Sequence, residues 1–214
     1  MAQQLGQSPA PVQRSRLDRL DSLFVDHDLR IAAFWANLVA LLRSSKARLG
    51  RWLPERELRA RKVQVQDPQT GRSLPVLPDA AFEVVYPDGF VQGCLLEVDT
   101  GTLTLARFRR KLRAFELYLA QGLAARHWED DFEVLVLTPS RPRLQQLWRA
   151  ARDEVPAERW GDYSFATFDA LDSREFQNAP WVTGGNDLVP LLYDAAFPTE
   201  ASEKAERLKN VAIP

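Results

Sequence analysis

Two acidic residues close an apolar run in "GCLLEVDTGT", residues 93–102: Glu97 and Asp99, two positions apart. In an extended strand that spacing puts both on one face, with Leu96 and Val98 on the other. A third acid, Asp79, follows Pro78 at the start of "PDAAFEVVYPDGFVQGCLLEVD". Asp88-Gly89 in the middle of that stretch suits a tight hairpin turn, so the start of one strand lies beside the end of its partner. All three acids can then meet at one edge of a sheet. Gathered carboxylates repel and resist ionising together. A divalent cation removes that cost, and Mg²⁺ is held by one or two carboxylates with water and phosphate oxygens completing its shell. The spacing therefore predicts a Mg²⁺ or Mn²⁺ site at Asp79, Glu97 and Asp99.

Lys111 adds to this set. It lies on the flank of an amphipathic helix, "TLARFRRKLRAFELYLAQGLAAR", whose stripe is Leu105, Phe108, Leu112, Phe115 and Leu119. Thr104 and Tyr118 share its flank, from which a lysine can lean over the sheet edge. Acids, a metal and a lysine suit phosphodiester hydrolysis: the metal polarises phosphate and acidifies a water, and the lysine offsets developing negative charge. Asp79, Glu97, Asp99 and Lys111 are the candidate catalytic residues. A plainer reading stands beside this one. "LEVD" is also what the wet face of a half-exposed strand looks like, and Lys111 in "RFRRKLR" is also one member of a solvated basic face.

Other residues carry two readings each. Glu57 is either a fourth acid or the i, i+4 partner of Arg61. His27, between Asp26 and Asp28, is either a base or a helical histidine paired with an aspartate. Basic residues crowd positions 43–62 and 107–113. Among them Arg59, Arg61, Lys62, Arg107 and Arg110 are candidates for DNA phosphate contacts, or else for solvated helix faces. "TGGND", residues 183–187, is too short and wrongly placed for a phosphate loop and reads as a turn.

The elements must position these groups within 214 residues, enough for one domain with a substantial core. A net charge of -1 excludes a uniformly basic coat, so a polyanion needs a local patch. The single cysteine, Cys94, excludes an internal disulfide and fits a reducing compartment. With two histidines, His27 and His127, a structural zinc site is nearly excluded. No apolar run approaches the ~20 residues of a membrane span, and the polar start lacks a signal-peptide core. The expectation is a cytoplasmic bacterial protein with no membrane partner.

Residues 1–15 are expected to form a disordered tail, 16–197 a single α/β domain, and 198–214 a C-terminal tail or short helix. Apolar spacings of three, four and seven predict a helix from Leu17 to about Arg48, and a shorter one follows in "LPERELRARK". "KVQVQDPQTGRSLPVL" reads as a short strand or hairpin arm. After the long hairpin and its helix come a buried strand "FEVLVLTP", a helix "RPRLQQLWRAARDE" and a last strand "YSFATFDAL". The alternation predicts an α/β sandwich with a mixed sheet flanked by helices.

"LPDAAFEVVYPDGFVQGCLLEVDTGT" followed by "FRRKLRAFELYLA" resembles the replication-relaxation family of plasmid and mobile-element proteins. The matching pieces are Pro78-Asp79-Ala80, Leu96 to Thr102, and Lys111 with Tyr118. Upstream, "VDHDLRIAAFWANLVALL" and "RWLPERELR" resemble the family's H-x-L helix and W-x(2)-E segment. Downstream, "LVLTPSRPRLQQL" and Pro180-Trp181 resemble its later part. The resemblance spans residues 20 to 185. It implies a role in plasmid replication and DNA relaxation, with DNA and replication or mobilisation proteins as partners. The core is also similar to the PD-(D/E)XK nuclease superfamily, which implies a restriction-endonuclease-like α-β-β-β-α-β core and metal-dependent nicking or endonuclease activity. On that resemblance Asp79 is the motif aspartate and Glu97 the motif glutamate, while Asp99 stands where the superfamily carries its lysine. Either Lys111 substitutes, or the site binds metal without cutting, or the chain is an inactive DNA-binding or protein-interaction module. The family's usual leading winged-helix domain is expected to be missing here or to come from a separate chain.

Overall fold

The computed structural model describes residues 16–124, 132–172, 176 and 179–192. The expectations for the two tails, and for His127 and Trp128, lie outside these residues. Helix α1 (Arg16–Ser44) leads into strand β1 (Arg48–Pro54), helix α2 (Glu55–Arg61) and a small hairpin, β2 (Gln64–Gln66) with β3 (Ser73–Pro75). The long hairpin follows as β4 (Ala80–Val85) and β5 (Val91–Val98), then α3 (Leu105–Ala120), β6 (Phe132–Thr138) and α4 (Arg141–Glu154). After a short 3-10 turn come β7 (Tyr163–Thr167), α5 (Asp169–Asp172), β8 (Trp181–Thr183) and β9 (Leu188–Val189). No helix among the described residues is long and apolar enough to cross a membrane.

Seven strands form one mixed sheet in the order β1-β4-β5-β6-β7-β8-β9. The pairs β1–β4 and β4–β5 are antiparallel, β5–β6 and β6–β7 parallel, and β7–β8 and β8–β9 antiparallel. The expected α/β architecture, a mixed sheet flanked by helices, is therefore the observed one. The central strands are buried on both faces, which explains why β5 and β6 read as near-continuous apolar runs. One face, with Ala81, Leu95, Val134, Val136 and Phe165, packs against Phe108, Leu112 and Phe115 of α3 and Leu144 and Leu147 of α4. The other, with Phe82, Cys94, Leu96, Val98, Leu135 and Leu137, packs against Phe34 and Leu38 of α1.

Strand β1 departs from the sequence-based reading, which runs the first helix to about Arg48 and assigns no strand there. "RLGRWLP" lies at the edge of the sheet and is mostly open to solvent, so it lacks the apolar alternation that marks half-buried strands. Strands β8 and β9 extend the sheet beyond the expected last strand, and their three and two residues are too short for periodicity to register.

The β1–β4 register shifts between Leu49 and Trp52. At this bulge a Cβ on Gly50 would lie 2.9 Å from Cβ of Glu83, so only glycine lets the strands close around that carboxylate. Arg51 then pairs with Glu83, donating from Nε at 2.8 Å and from its terminal nitrogen. The Arg51 hydrogen bond outweighs burial and holds the Glu83 carboxyl below the usual range. A lowered carboxyl stabilises the fold above its ordinary value, near 4.5, and that contribution disappears as pH falls through the folded-state value. Arg51→Ala is expected to cost about 1–3 kcal/mol at neutral pH, with the deficit shrinking in acid. Urea melts at pH 7 and pH 3.5 check this; a deficit independent of pH would reject the ion pair as its source.

Candidate functional site

Asp79 stands one residue before β4, and its backbone is tied on both sides. Its N–H donates to Leu96 O at 2.9 Å, and its carbonyl accepts from Glu55 N–H at 3.1 Å. Its carboxylate is equally engaged: Oδ2 accepts the Val98 N–H at 2.7 Å and lies 3.2 Å from His27 Nε2. The hairpin register pairs Ala80 with Leu96, which brings Asp79 beside Glu97 on the neighbouring strand. Glu97 faces α3, sharing the parity of Leu95, and its side chain is 4% exposed.

Lys111 closes the cluster from α3. Thr104 caps that helix by accepting the Arg107 N–H at 3.3 Å, and the Phe108–Leu112–Phe115 stripe seats it on the sheet. From the helix flank Lys111 Nζ donates to Glu97 Oε2 and lies 3.4 Å from Asp79 Oδ1. Glu97 Oε1 is buried and has no hydrogen-bond partner among the described residues. A buried carboxylate oxygen left so is costly unless a proton or cation completes it.

The charges of this group are strongly coupled. Burial pushes the Glu97 carboxyl up to about 8 against the opposing charge of Lys111, and the Asp79 charge adds to the rise. Burial works against the Lys111 ammonium, but Glu97 and then Asp79 outweigh it and carry it up to about 12. Burial would raise Asp79, yet the His27 hydrogen bond, the Lys111 charge and the Val98 N–H together hold it below the usual carboxylate range. His27 is raised by its hydrogen bond to Asp79, against partial burial, with Asp28 (3.6 Å from Nδ1) contributing less. Asp79 is thus the anionic member and Glu97 the one that readily keeps a proton.

Asp99 is set apart from this cluster. It shares the face of Glu97 but follows the end of β5, where its Oδ1 accepts the N–H of Gly101 at 3.1 Å and of Leu103 at 3.4 Å. This side-chain turn requires Gly101 at φ +90°, a value that disfavours any side chain. Arg143 of α4 then clamps Asp99, with Nε 2.6 Å from Oδ2, and also donates to Leu103 O. Among the described residues no group of three or more His, Cys, Asp or Glu side chains is placed to hold a metal. The donors that remain for a cation are Asp79 and Glu97, a number that Mg²⁺ accepts with water and phosphate in its other positions.

The remaining candidates separate. Tyr118 is buried in the core beneath α3, its ring 5.9 Å from that of Phe132. Glu57 is exposed on α2, where the i, i+4 pair is Glu55 with Arg59 rather than Glu57 with Arg61. Arg107 and Arg110 of α3 are exposed, as are Arg61 and Lys62 at the end of α2. Arg113 turns inward to Asp67 at 3.3 Å, and Arg109 reaches Asp153 of α4 at 2.8 Å. "TGGND" forms the β8–β9 turn, with Asn186 N–H donating to Thr183 O at 2.9 Å. Arg143 has no distinguishing signal in "RPRLQQL", but Asp99-Thr100-Gly101 is itself a turn signature that favours a structural role for Asp99.

A family model described as replication-relaxation matches residues 2–129, well over half of the chain. That span holds α1 to α3, and so Asp79, Glu97, Lys111 and His27, and ends before β6. No curated protein and no solved structure matches the chain.

Proposed function

From a chain that belongs to the replication-relaxation family, and so has a DNA-processing role in replication and DNA or replication-related partners, we propose the following activity. The protein cleaves one strand of DNA in a reaction assisted by Mg²⁺ or Mn²⁺, with Asp79, Glu97 and Lys111 as its reactive group. The observation that carries this reading is the meeting of Lys111 Nζ with both carboxylates while Glu97 Oε1 stays buried without a partner among the described residues. When bound, the metal would neutralise the two carboxylates, polarise a phosphate oxygen and acidify a water.

The chain's own residues supply the rest. Asp79 and Glu97 orient the donors, and the Val98 N–H and His27 fix the Asp79 carboxylate in rotation. Lys111 offsets negative charge on the phosphate as the water oxygen bonds to phosphorus and the bond to the departing sugar oxygen breaks. The order α1, β1, β4, β5, α3 and β6, with α2, β2 and β3 interposed after β1, fits an α-β-β-β-α-β pattern and supports a reading of the PD-(D/E)XK kind. Lys111 then acts from α3 in place of the strand lysine, where this chain has Asp99. Exposed Arg107 and Arg110 on α3, with Arg61 and Lys62, would meet flanking phosphates.

Supercoiled plasmid incubated with Mg²⁺ or Mn²⁺ is expected to yield open circles, and Lys111→Met is expected to slow this by about 10²-fold. Mn²⁺ should also raise the melting temperature of the parent but not of Asp79→Asn, a readout that needs no turnover. No nicking together with no Mn²⁺ stabilisation would reject the proposal. The second reading is DNA binding without cleavage. It is favoured by the contact of Lys111 Nζ with both Asp79 and Glu97, which puts a positive charge where a cation would bind. A gel shift weakened by salt, with intact plasmid in every metal, is its signature.

A further inference from the structure

Beside the carboxylate cluster lies an open groove of about 610 Å³ between α1 and the β1–α2 junction. Its walls include Trp35 and Asp28 of α1, Trp52 of β1, Glu55 and Arg56 of α2, and Asp79 itself. Trp35 is 42% exposed, although its helix neighbours Phe34 and Leu38 are fully buried on the sheet-facing side. Trp52 is backed by Phe82, with ring centroids 5.5 Å apart and planes inclined by 25°. A flat aromatic held from behind, as Trp52 is, offers a contact surface at little entropic cost, and with the exposed Trp35 in the same groove it suits a flat, π-bearing ligand.

The charges decide which part of DNA fits. Asp28 and Glu55 share the groove's walls with Arg56, Glu55 pairing also with Arg59, while Asp79 is already held by His27 and Lys111. The groove therefore has no excess of positive charge to draw a phosphate backbone along it, whereas the carboxylates of Asp28 and Glu55 offer acceptors to the amino groups of cytosine, adenine and guanine. In a duplex those faces and edges are largely occupied by stacking and pairing, so an unpaired base is what this groove can receive. We propose that the Trp35–Trp52 groove binds an unpaired nucleobase, and that the strand handled at Asp79 is single-stranded or locally melted DNA. The proposal rests on the DNA-processing reading above and adds its substrate class.

The test is binding in EDTA, where no cleavage occurs, of fluorescently labelled single strands of dC, dA or dT and of a duplex of equal length. Single strands should bind more tightly than the duplex, and dC or dA more tightly than dT. Trp35→Ala should weaken single-strand binding by roughly 5- to 100-fold, the range of one base–aromatic stack, and leave duplex binding unchanged. Trp52→Phe, which keeps the contact with Phe82, should show a smaller loss in the same direction. Parent-like single-strand affinity in Trp35→Ala, or preference for the duplex, would overturn the base site. Equal affinity for dC, dA and dT would overturn the role given to Asp28 and Glu55. Trp35-dependent binding with no nicking by any metal would leave the base site standing and remove cleavage alone; nicking with Trp35-independent binding would do the reverse.

Discussion

Glu97→Gln is expected to abolish nicking, by three orders of magnitude or more, while making the metal-free protein more stable in alkali. The two effects have one cause. Burial lifts the Glu97 carboxyl to about 8, against 4.5 in an unfolded chain. Below pH 4.5 the residue is protonated in both states and makes no difference to the balance between them. As pH rises toward 8 the unfolded chain releases this proton and the folded one keeps it, so stability falls. Above pH 8 the whole penalty is present, on the order of 5 kcal/mol for a rise from 4.5 to about 8. Glutamine removes the ionisation but can still accept from Lys111. Thermal melts of parent and variant should coincide near pH 4 and diverge in the variant's favour by pH 9. Parallel curves would mean that Glu97 is ionised throughout, in an ordinary ion pair with Lys111.

Arg143→Ala is expected to be among the most damaging substitutions to the fold, although Arg143 lies on α4, away from the proposed reactive group. The Asp99 side chain is 2% exposed and that of Arg143 15%, so truncation leaves a carboxylate buried without its counter-ion. Breaking one partner of such a pair costs about 3–5 kcal/mol, or roughly 6–20 °C in melting temperature for a domain of this size. Asp99→Asn combined with Arg143→Leu removes both charges and should recover most of the loss. Chemical melts of Asp99→Asn, Arg143→Leu and the double variant give the coupling directly. A loss below about 1 kcal/mol in Arg143→Ala would show that water reaches Asp99 and replaces the clamp.

Parts of this site were legible from residue spacing. Alternation along "GCLLEV" and the Asp88-Gly89 turn suffice to bring Asp79 beside Glu97, and the apolar stripe of α3 suffices to aim Lys111 at them. These are local rules of period and turn, and they reach about as far as one hairpin and its crossover helix. Alternation also placed Asp99 on the face of Glu97, and the face is right. What it could not supply is the arginine 44 positions later that takes Asp99 out of the cluster. Nor could it supply the groove, because Trp35 and Trp52 meet only through the packing of α1 against the edge of the sheet. The edge strand β1 escaped for a related reason: a half-exposed strand that carries Arg48, Gly50 and Arg51 among its seven residues has little apolar period to detect.

The double anchorage of Asp79 has a consequence for how the chain finds its fold. The same carboxylate that faces Lys111 also accepts the backbone N–H of Val98, and that bond exists in only one alignment of β4 against β5. A slip of β4 by one residue against β5 would turn its side chains to the opposite face, sending Ala81 toward α1 and stranding the Asp79 carboxylate away from its donor. With alanines at 80 and 81, the hairpin's own side chains discriminate weakly between alignments near this end. The acid therefore acts as an index mark for strand registration, and a chain that has folded out of register is by the same token one that cannot assemble its reactive group.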